Sequence, residues 1–204
     1  MSIEAIALLN DPVRRGLYEY VVSRGRDVAR NEAAEAVGVQ RTLAAFHLDK
    51  LVEAGLLDAV FRRPAGRGGP GAGRPAKHYR RASGEFAVSV PPRDYRTVAS
   101  LLAEAVKRTG LEREAEEAAR ARGRACSGDA EEVLRERGYE PYEEEGVLRM
   151  RNCPFHQLAE EYPVLVCSMN LALLEGLVEG TEWTARMDPA PGRCCVALSK
   201  NNEI

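Results

Sequence analysis

An α+β chain of two small domains joined by a long helix is predicted by three observations. Apolar residues at helical spacing alternate with short β-branched and aromatic runs, the proline pair Pro91-Pro92 interrupts the pattern near the middle, and four of the five cysteines fall in the last quarter. The 204 residues suffice for two modest cores. With 45% hydrophobic and 29% charged residues the composition is that of a folded chain, which excludes wholesale disorder. Residues 1–15 lack a basic end followed by an apolar stretch, and no run of about 18 apolar residues occurs. The expectation is therefore a cytoplasmic protein with no membrane partner and with reduced cysteines.

Asp11-Pro12 supplies a capping acid and a proline at the first helical position. Val13, Leu17, Tyr20 and Val21 continue as one apolar face, and residues 23–25 end the helix. Asn31 is a candidate cap for a short helix over 32–37, and Gly38-Val39 makes a turn. A longer helix over 40–54 turns Ala44, Leu48 and Leu51 inward and stops at Gly55. Helix, short helix, glycine turn and longer helix is the helix-turn-helix pattern. Residues 56–61 then read as a strand, and 78–81 as its partner. Between them, residues 62–77 hold five of the 18 glycines and three prolines, the composition of a loop. Two strands around such a tip form a wing, so residues 1–90 are expected to be a winged helix-turn-helix domain.

Charge supports a nucleic-acid partner for that domain. The overall charge is −2, but residues 1–92 carry +4 and the remainder −6. Residues 61–81 contain seven basic residues (Arg62, Arg63, Arg67, Arg74, Lys77, Arg80, Arg81) and no acid. A local basic stripe, more than a basic total, marks a DNA binder. The residues expected to touch double-stranded DNA are Gln40, Arg41, Thr42, Phe46 and Lys50 on the third helix, with Arg67, Arg74 and Lys77 in the wing. Arg and Gln pair with base edges, Thr and Phe can meet a thymine methyl, and Lys meets phosphate. The plainer alternative for each is a solvated helix face. His47 reads as a packing residue.

From residue 94 to about 124 one long helix is expected, with Tyr95, Val98, Leu102, Ala105 and Val106 on a narrow apolar stripe. Such a stripe must be buried, either on its own domain or against a second copy. Two DNA heads usually need a dimer, so residues 91–125 are assigned as linker and dimerisation helix. Residues 126–204 then form a cysteine-containing domain. It should hold a helix over 129–137, a hairpin turning at 143–146, helices over 153–162 and 163–179, and a last strand over 193–199.

The cysteines in that domain are Cys153, Cys167, Cys194 and Cys195, spaced C-x13-C-x26-C-C. The spacing is neither that of a zinc ribbon nor that of a ferredoxin run. Soft thiolates gathered in a reduced chain nonetheless suit a metal or cluster better than four separate buried hydrophobes. On a strand Cys194 and Cys195 would face opposite ways, so only one of them is expected to reach the site. Cys126, alone in a charged stretch, is expected to be incidental.

Residues 11–81 resemble the winged-helix domain of ArsR-like regulators. The resemblance rests on Ala-Ala-Phe-His-Leu-Asp-Lys-Leu-Val-Glu-Ala-Gly-Leu-Leu (44–57) and Gly-Arg-Pro-Ala-Lys-His-Tyr (73–79). Asn-Cys-Pro-Phe-His (152–156), Val-Cys-Ser-Met-Asn (166–170), Leu-Leu-Glu-Gly (173–176) and Arg-Cys-Cys-Val (193–196) resemble the C-terminal half of SufR-type repressors. The resemblance implies a homodimeric repressor that holds a [4Fe–4S] cluster through three cysteines and a fourth ligand. Cys153 and Cys167 match the family directly. Cys195 matches the terminal Cys-x-aromatic strand better than Cys194, but Ala197 stands where the aromatic residue belongs. His156, Asn170 and Glu175 are the candidates for the fourth ligand. Competing readings are a zinc or thiol-redox repressor using the same cysteines, and an iron–sulfur enzyme or carrier. No glycine-rich phosphate loop or Ser-His-Asp arrangement supports an enzyme.

Overall fold

The computed structural model describes residues 2–62 and 75–201. The chain is mixed α+β with two small sheets, and it divides into two units, residues 1–93 and 94–204. Among the described residues, no helix is long and apolar enough to cross a membrane.

The first unit opens with α1 (Ser2–Ala7), a 3₁₀ turn (Leu8–Asn10) and α2 (Pro12–Arg24). Asp11 caps α2 by accepting the Arg14 amide at 2.9 Å, and Pro12 occupies the first turn. A two-residue strand β1 (Val28–Ala29) leads into α3 (Arg30–Val37), and α4 (Arg41–Glu53) follows the turn at Gly38. Asn31 is not the cap of α3. The helix starts before it, Ala29 holds the cap position, and no side chain closes that end. Strands β2 (Leu57–Arg62) and β3 (Ala76–Arg81) pair antiparallel from Leu57–Arg81 to Arg62–Ala76, and β1 adds to β3 through Val28–Tyr79. Leu17, Val21, Ala33, Ala44, Leu48, Leu51, Leu57 and Tyr79 form the core between helices and sheet. Burying eight such side chains removes apolar surface worth about 1.5–3 kcal/mol for each large aliphatic one, the main force holding three short helices on a narrow sheet.

In the second unit the expected single helix over 94–124 is two. Helix α5 (Tyr95–Thr109) stops at Gly110, whose φ of +69° is left-handed, and α6 (Glu112–Arg124) starts anew. The alanine and charge patterning of both halves is helical, so only the glycine signals the break. Helix α7 (Ala130–Glu136), capped by Asp129, leads to the hairpin β4 (Pro141–Glu144) and β5 (Val147–Met150). Glu145 and Gly146 both have positive φ there, as a two-residue hairpin turn requires. Helices α8 (His156–Glu161) and α9 (Pro163–Val178) precede β6 (Trp183–Met187) and β7 (Val196–Lys200). The sheet order is β4-β5-β7-β6, antiparallel throughout. β6 has no counterpart in the sequence reading, since Trp-Thr-Ala-Arg-Met buries only its central alanine. Helix α9 lies on the core of this sheet, with Leu174 and Val178 against Leu134, Tyr139, Leu148, Met150 and Leu198.

What fixes α9 is its seam with α6. A Cβ at Gly123 would stand 2.1 Å from the Leu173 carbonyl oxygen, and one at Gly176 would stand 2.1 Å from that of Arg120. The two backbones touch, and only hydrogen fits at either position. Arg120–Glu175 and Arg124–Glu179 ion pairs, both at 2.5 Å, flank the seam. They advance in the same direction along both helices, so α6 and α9 run parallel. Gly176→Ala is expected to destabilise the protein by on the order of 3 kcal/mol or more, because backbone cannot yield as a side-chain tip can. Urea unfolding followed by circular dichroism measures it, and a loss below about 1 kcal/mol would contradict a rigid seam.

Candidate functional site

Three separate segments of the second unit deliver cysteines to one place. Cys153 lies in the turn between β5 and α8, Cys167 in α9, and Cys194 and Cys195 in the loop leading into β7. The first turn is fixed by two backbone bonds, Arg151 N to Glu140 O at 3.1 Å and Asn152 N to Tyr139 O at 3.0 Å. The loop is fixed by Cys194 N donating to Met150 O at 2.9 Å and Asp188 N donating to Cys195 O at 2.8 Å. Cys194 is buried; the other three are partly covered.

The four sulfurs form a ladder in which each shifts the ionisation of its neighbour. Its order runs Cys167, Cys195, Cys194, Cys153. The ladder is polar in sense. Hydrogen bonding from Cys194, reinforced by the Phe155 amide, holds the Cys153 thiol below its usual range despite burial. Burial and then the bond to Cys195 push Cys167 up to about 12. Hydrogen bonding to Cys153 pushes Cys194 up to about 11, and the bond to Cys194, with burial, raises Cys195 further. Cys153 is thus the member of the row most disposed to ionise, and the other three hold their protons more firmly.

Asn170 ties this ladder to the core. It is one helical turn beyond Cys167 and almost wholly buried. Its Oδ1 accepts from the Tyr139 hydroxyl at 2.6 Å, and its Nδ2 donates to Cys194 Sγ at 3.2 Å, with Cys195 also within its reach. Burial and the neighbouring Cys194 and Cys153 sulfurs raise the Tyr139 hydroxyl, so it serves as a donor.

The expectation that one of Cys194 and Cys195 would face away is corrected. β7 begins at Val196, so the pair sits in a loop where strand alternation does not apply, and both sulfurs join the ladder. Among the three proposed fourth ligands, only Asn170 meets the cysteines. His156 faces Glu160 at 3.3 Å and is largely exposed, and Glu175 is held by Arg120. Cys126 lies just past α6, donating to Arg122 O at 3.3 Å and receiving Arg137 Nη2 at 3.0 Å. Among the described residues no group of three or more His, Cys, Asp or Glu side chains is arranged to hold a metal ion. Soft sulfur donors suit a thiolate-bound group once their protons leave, but holding one would require the four cysteines to rearrange from the positions they take here.

In the first unit, α4 exposes Gln40, Arg41, Thr42, Leu43 and Phe46. His47 is buried beside Phe46, the two rings in edge contact, and Arg14 Nε donates to its Nδ1 at 3.3 Å. Two of the expected phosphate contacts are engaged within the chain. Lys50 pairs with Glu53 at 2.7 Å, and Lys77 donates to Asp49 at 2.6 Å, where the Tyr79 hydroxyl also bonds at 2.8 Å. Burial works against the Asp49 carboxylate, but these two donors hold it below the usual range. Arg67 and Arg74 lie outside the described residues. Leu43, unnoticed in the sequence, stands beside Phe46 at helical spacing; an apolar residue that fails to face the core was the available signal.

Comparison of the chain with known protein families, curated proteins and solved structures returns no match. Asn170→Ala is expected to cost about 1–3 kcal/mol, since it strands the buried Tyr139 hydroxyl, whereas Tyr139→Phe in the Asn170→Ala background should cost little more. Denaturant unfolding of the two single variants and the double variant measures the coupling.

Proposed function

We propose that this chain is a homodimeric, DNA-binding transcriptional repressor of the winged helix-turn-helix class. In this reading its operator affinity is set by a [4Fe–4S] cluster in the second unit, as the resemblance to SufR-type repressors implies. The single observation that carries the reading is the convergence of Cys153, Cys167, Cys194 and Cys195 from three segments distant in sequence.

Cys153, Cys167 and one or both of Cys194 and Cys195 would hold the cluster, with Asn170 beside them. A bound [4Fe–4S] cluster supplies one-electron redox chemistry and sensitivity to oxidants. The protein's part is to deliver deprotonated sulfurs. Cys153 is already biased toward the thiolate, whereas Cys167 and Cys194 must lose protons held at about 12 and about 11. Loading therefore releases protons and strengthens as pH rises through the neutral range. The same sulfurs suit zinc, and metal analysis separates the two. Loading would bind the turn of Cys153, helix α9 and the β6–β7 loop together, and a coupling of about 1–3 kcal/mol to DNA affinity is the usual size for such ordering.

DNA binding is supported by the exposed α4 face with Arg41 at its start, in a unit whose helices and antiparallel strands follow the helix-turn-helix order. Dimerisation is supported by α5, where Tyr95, Val98, Leu101 and Leu102 are 54–74% exposed.

Anaerobically purified protein should show broad visible absorption, with iron and sulfide in equal amounts. Cys153→Ser and Cys167→Ser should abolish both signals. Colourless, iron-free wild-type protein would end the cluster reading, and stoichiometric zinc would replace it. In gel-shift titrations against operator selected from random duplexes, Arg41→Ala should weaken specific binding by about 1–3 kcal/mol. Lys77→Ala should act mainly on stability, because its partner is Asp49. Sedimentation should show a dimer that Leu102→Glu dissociates.

A further inference from the structure

Four charges meet beside the loop that carries Cys194 and Cys195. Glu144 ends β4, Arg149 lies in β5, Asp188 follows β6, and Arg193 immediately precedes Cys194. Asp188 Oδ2 is 3.0 Å from Arg193 Nη2 and 3.3 Å from Arg149 Nη2. Glu144 Oε2 closes the ring, 3.3 Å from Arg149 Nε and 3.8 Å from Arg193 Nη1. The ring is neutral, two cations against two anions. Three of its side chains are well covered, with 15% of Arg149 and 22% of both Asp188 and Arg193 exposed. Glu144 is half exposed.

Such a ring is a poor device for stability alone. Desolvating four charges offsets much of their attraction, and apolar side chains of the same volume would hold the sheet as well. Its donors are also incompletely used. Arg149 Nε and Nη1 and Arg193 Nε are buried without a hydrogen bond, the first lying close to Glu144 but off line. What the ring does distinctively is fix position. Asp188 and Arg193 are the two ends of one short loop, and Arg149 grips the Asp188 end from the neighbouring strand. Beyond the Arg193 end come Cys194, bonded to Met150 O, and Cys195, bonded from Asp188 N.

We propose that Glu144, Arg149, Asp188 and Arg193 form an electrostatic latch that holds the 188–193 loop shut and thereby keeps Cys194 and Cys195 shielded and in place beside Cys153 and Cys167. Asp188 is the hub, because it is the covered acid, hydrogen-bonded by Arg193 and close to Arg149, whereas Glu144 is half exposed. These are positioning residues; none touches the sulfurs. The role in metal loading rests on the function proposed above, whereas the latch itself does not.

The test uses the full-length, reduced, metal-free protein. Each cysteine's alkylation by iodoacetamide is timed by mass-spectrometric peptide mapping. A buried sulfur such as Cys194 reacts only when its segment opens, and a partly covered one such as Cys195 reacts faster when it does, so the rates report local opening. Asp188→Asn should speed labelling of Cys194 and Cys195 by about tenfold or more while Cys153 and Cys167 change less than about threefold. Asp188→Glu, which keeps the charge, should remain near the wild-type rate. Arg193→Gln is the second variant, with the same expectation, should Asp188→Asn fail to fold. Unchanged labelling of Cys194 and Cys195 in a folded variant would overturn the proposal, and so would equal acceleration at all four cysteines. Metal content of the wild type is measured separately. A protein that binds neither iron nor zinc yet shows the selective acceleration keeps the latch and loses the cluster reading.

Discussion

The backbone contact between α6 and α9 is the constraint on which the second unit depends. Side chains normally keep helix axes 8–10 Å apart, and two glycines remove that spacer at one crossing. With Gly123 against the Leu173 carbonyl and Gly176 against that of Arg120, neither helix can rotate or slide without collision. Helix α9 presents Leu174 and Val178 to the sheet and, on the same body, Cys167 and Asn170 to the cysteine loop. Rotation of α9 would break the Tyr139–Asn170–Cys194 chain before it disturbed the apolar core, because hydrogen bonds tolerate less misplacement than dispersion contacts.

The two units handle buried polarity in opposite ways. In the first, Asp49 gathers Lys77 and Tyr79, so a charge that sequence alone would assign to DNA is spent on joining α4 to β3. In the second, polar groups are placed around the sulfurs in a graded order, from the shifted Cys153 to the protonated Cys195. A buried asparagine between a tyrosine and a thiol is a costly arrangement unless every partner is present, and here each partner is.

Much of the first unit is legible from residues. Asp11-Pro12, the turn at Gly38 and the apolar positions of α4 state its helices directly, and the glycine- and proline-rich sequence after residue 62 marks where β2 ends. Local rules failed where the determinant was distant. The break at Gly110 sits inside an unbroken helical pattern, and a single glycine there carries the whole signal. β1 and β6 are too short or too polar to show a period of two, and they exist because β3 and β7 offer them edges. The cysteine set was legible as types and spacing. The involvement of both Cys194 and Cys195 was not, since it depends on where β7 starts, and that follows from pairing with β5 and β6. The charge ring was invisible for the same reason, its members being near neighbours only in the folded sheet.

The parallel course of α6 and α9 has a consequence for how the molecule assembles. Two parallel neighbours cannot be joined by a tight turn, so the chain must travel back before α9 begins. That return carries α7, the β4–β5 hairpin, Cys153 and α8. The Gly123–Gly176 contact thus closes a loop of about fifty residues, with an entropy cost that falls due before most of its contacts can form. Cys153 and Cys167 come into register only as that loop closes, and Cys194 and Cys195 follow only after β6 and its loop, with β7 beginning directly beyond them. During synthesis, the last of the four sulfurs emerges about forty residues after the first.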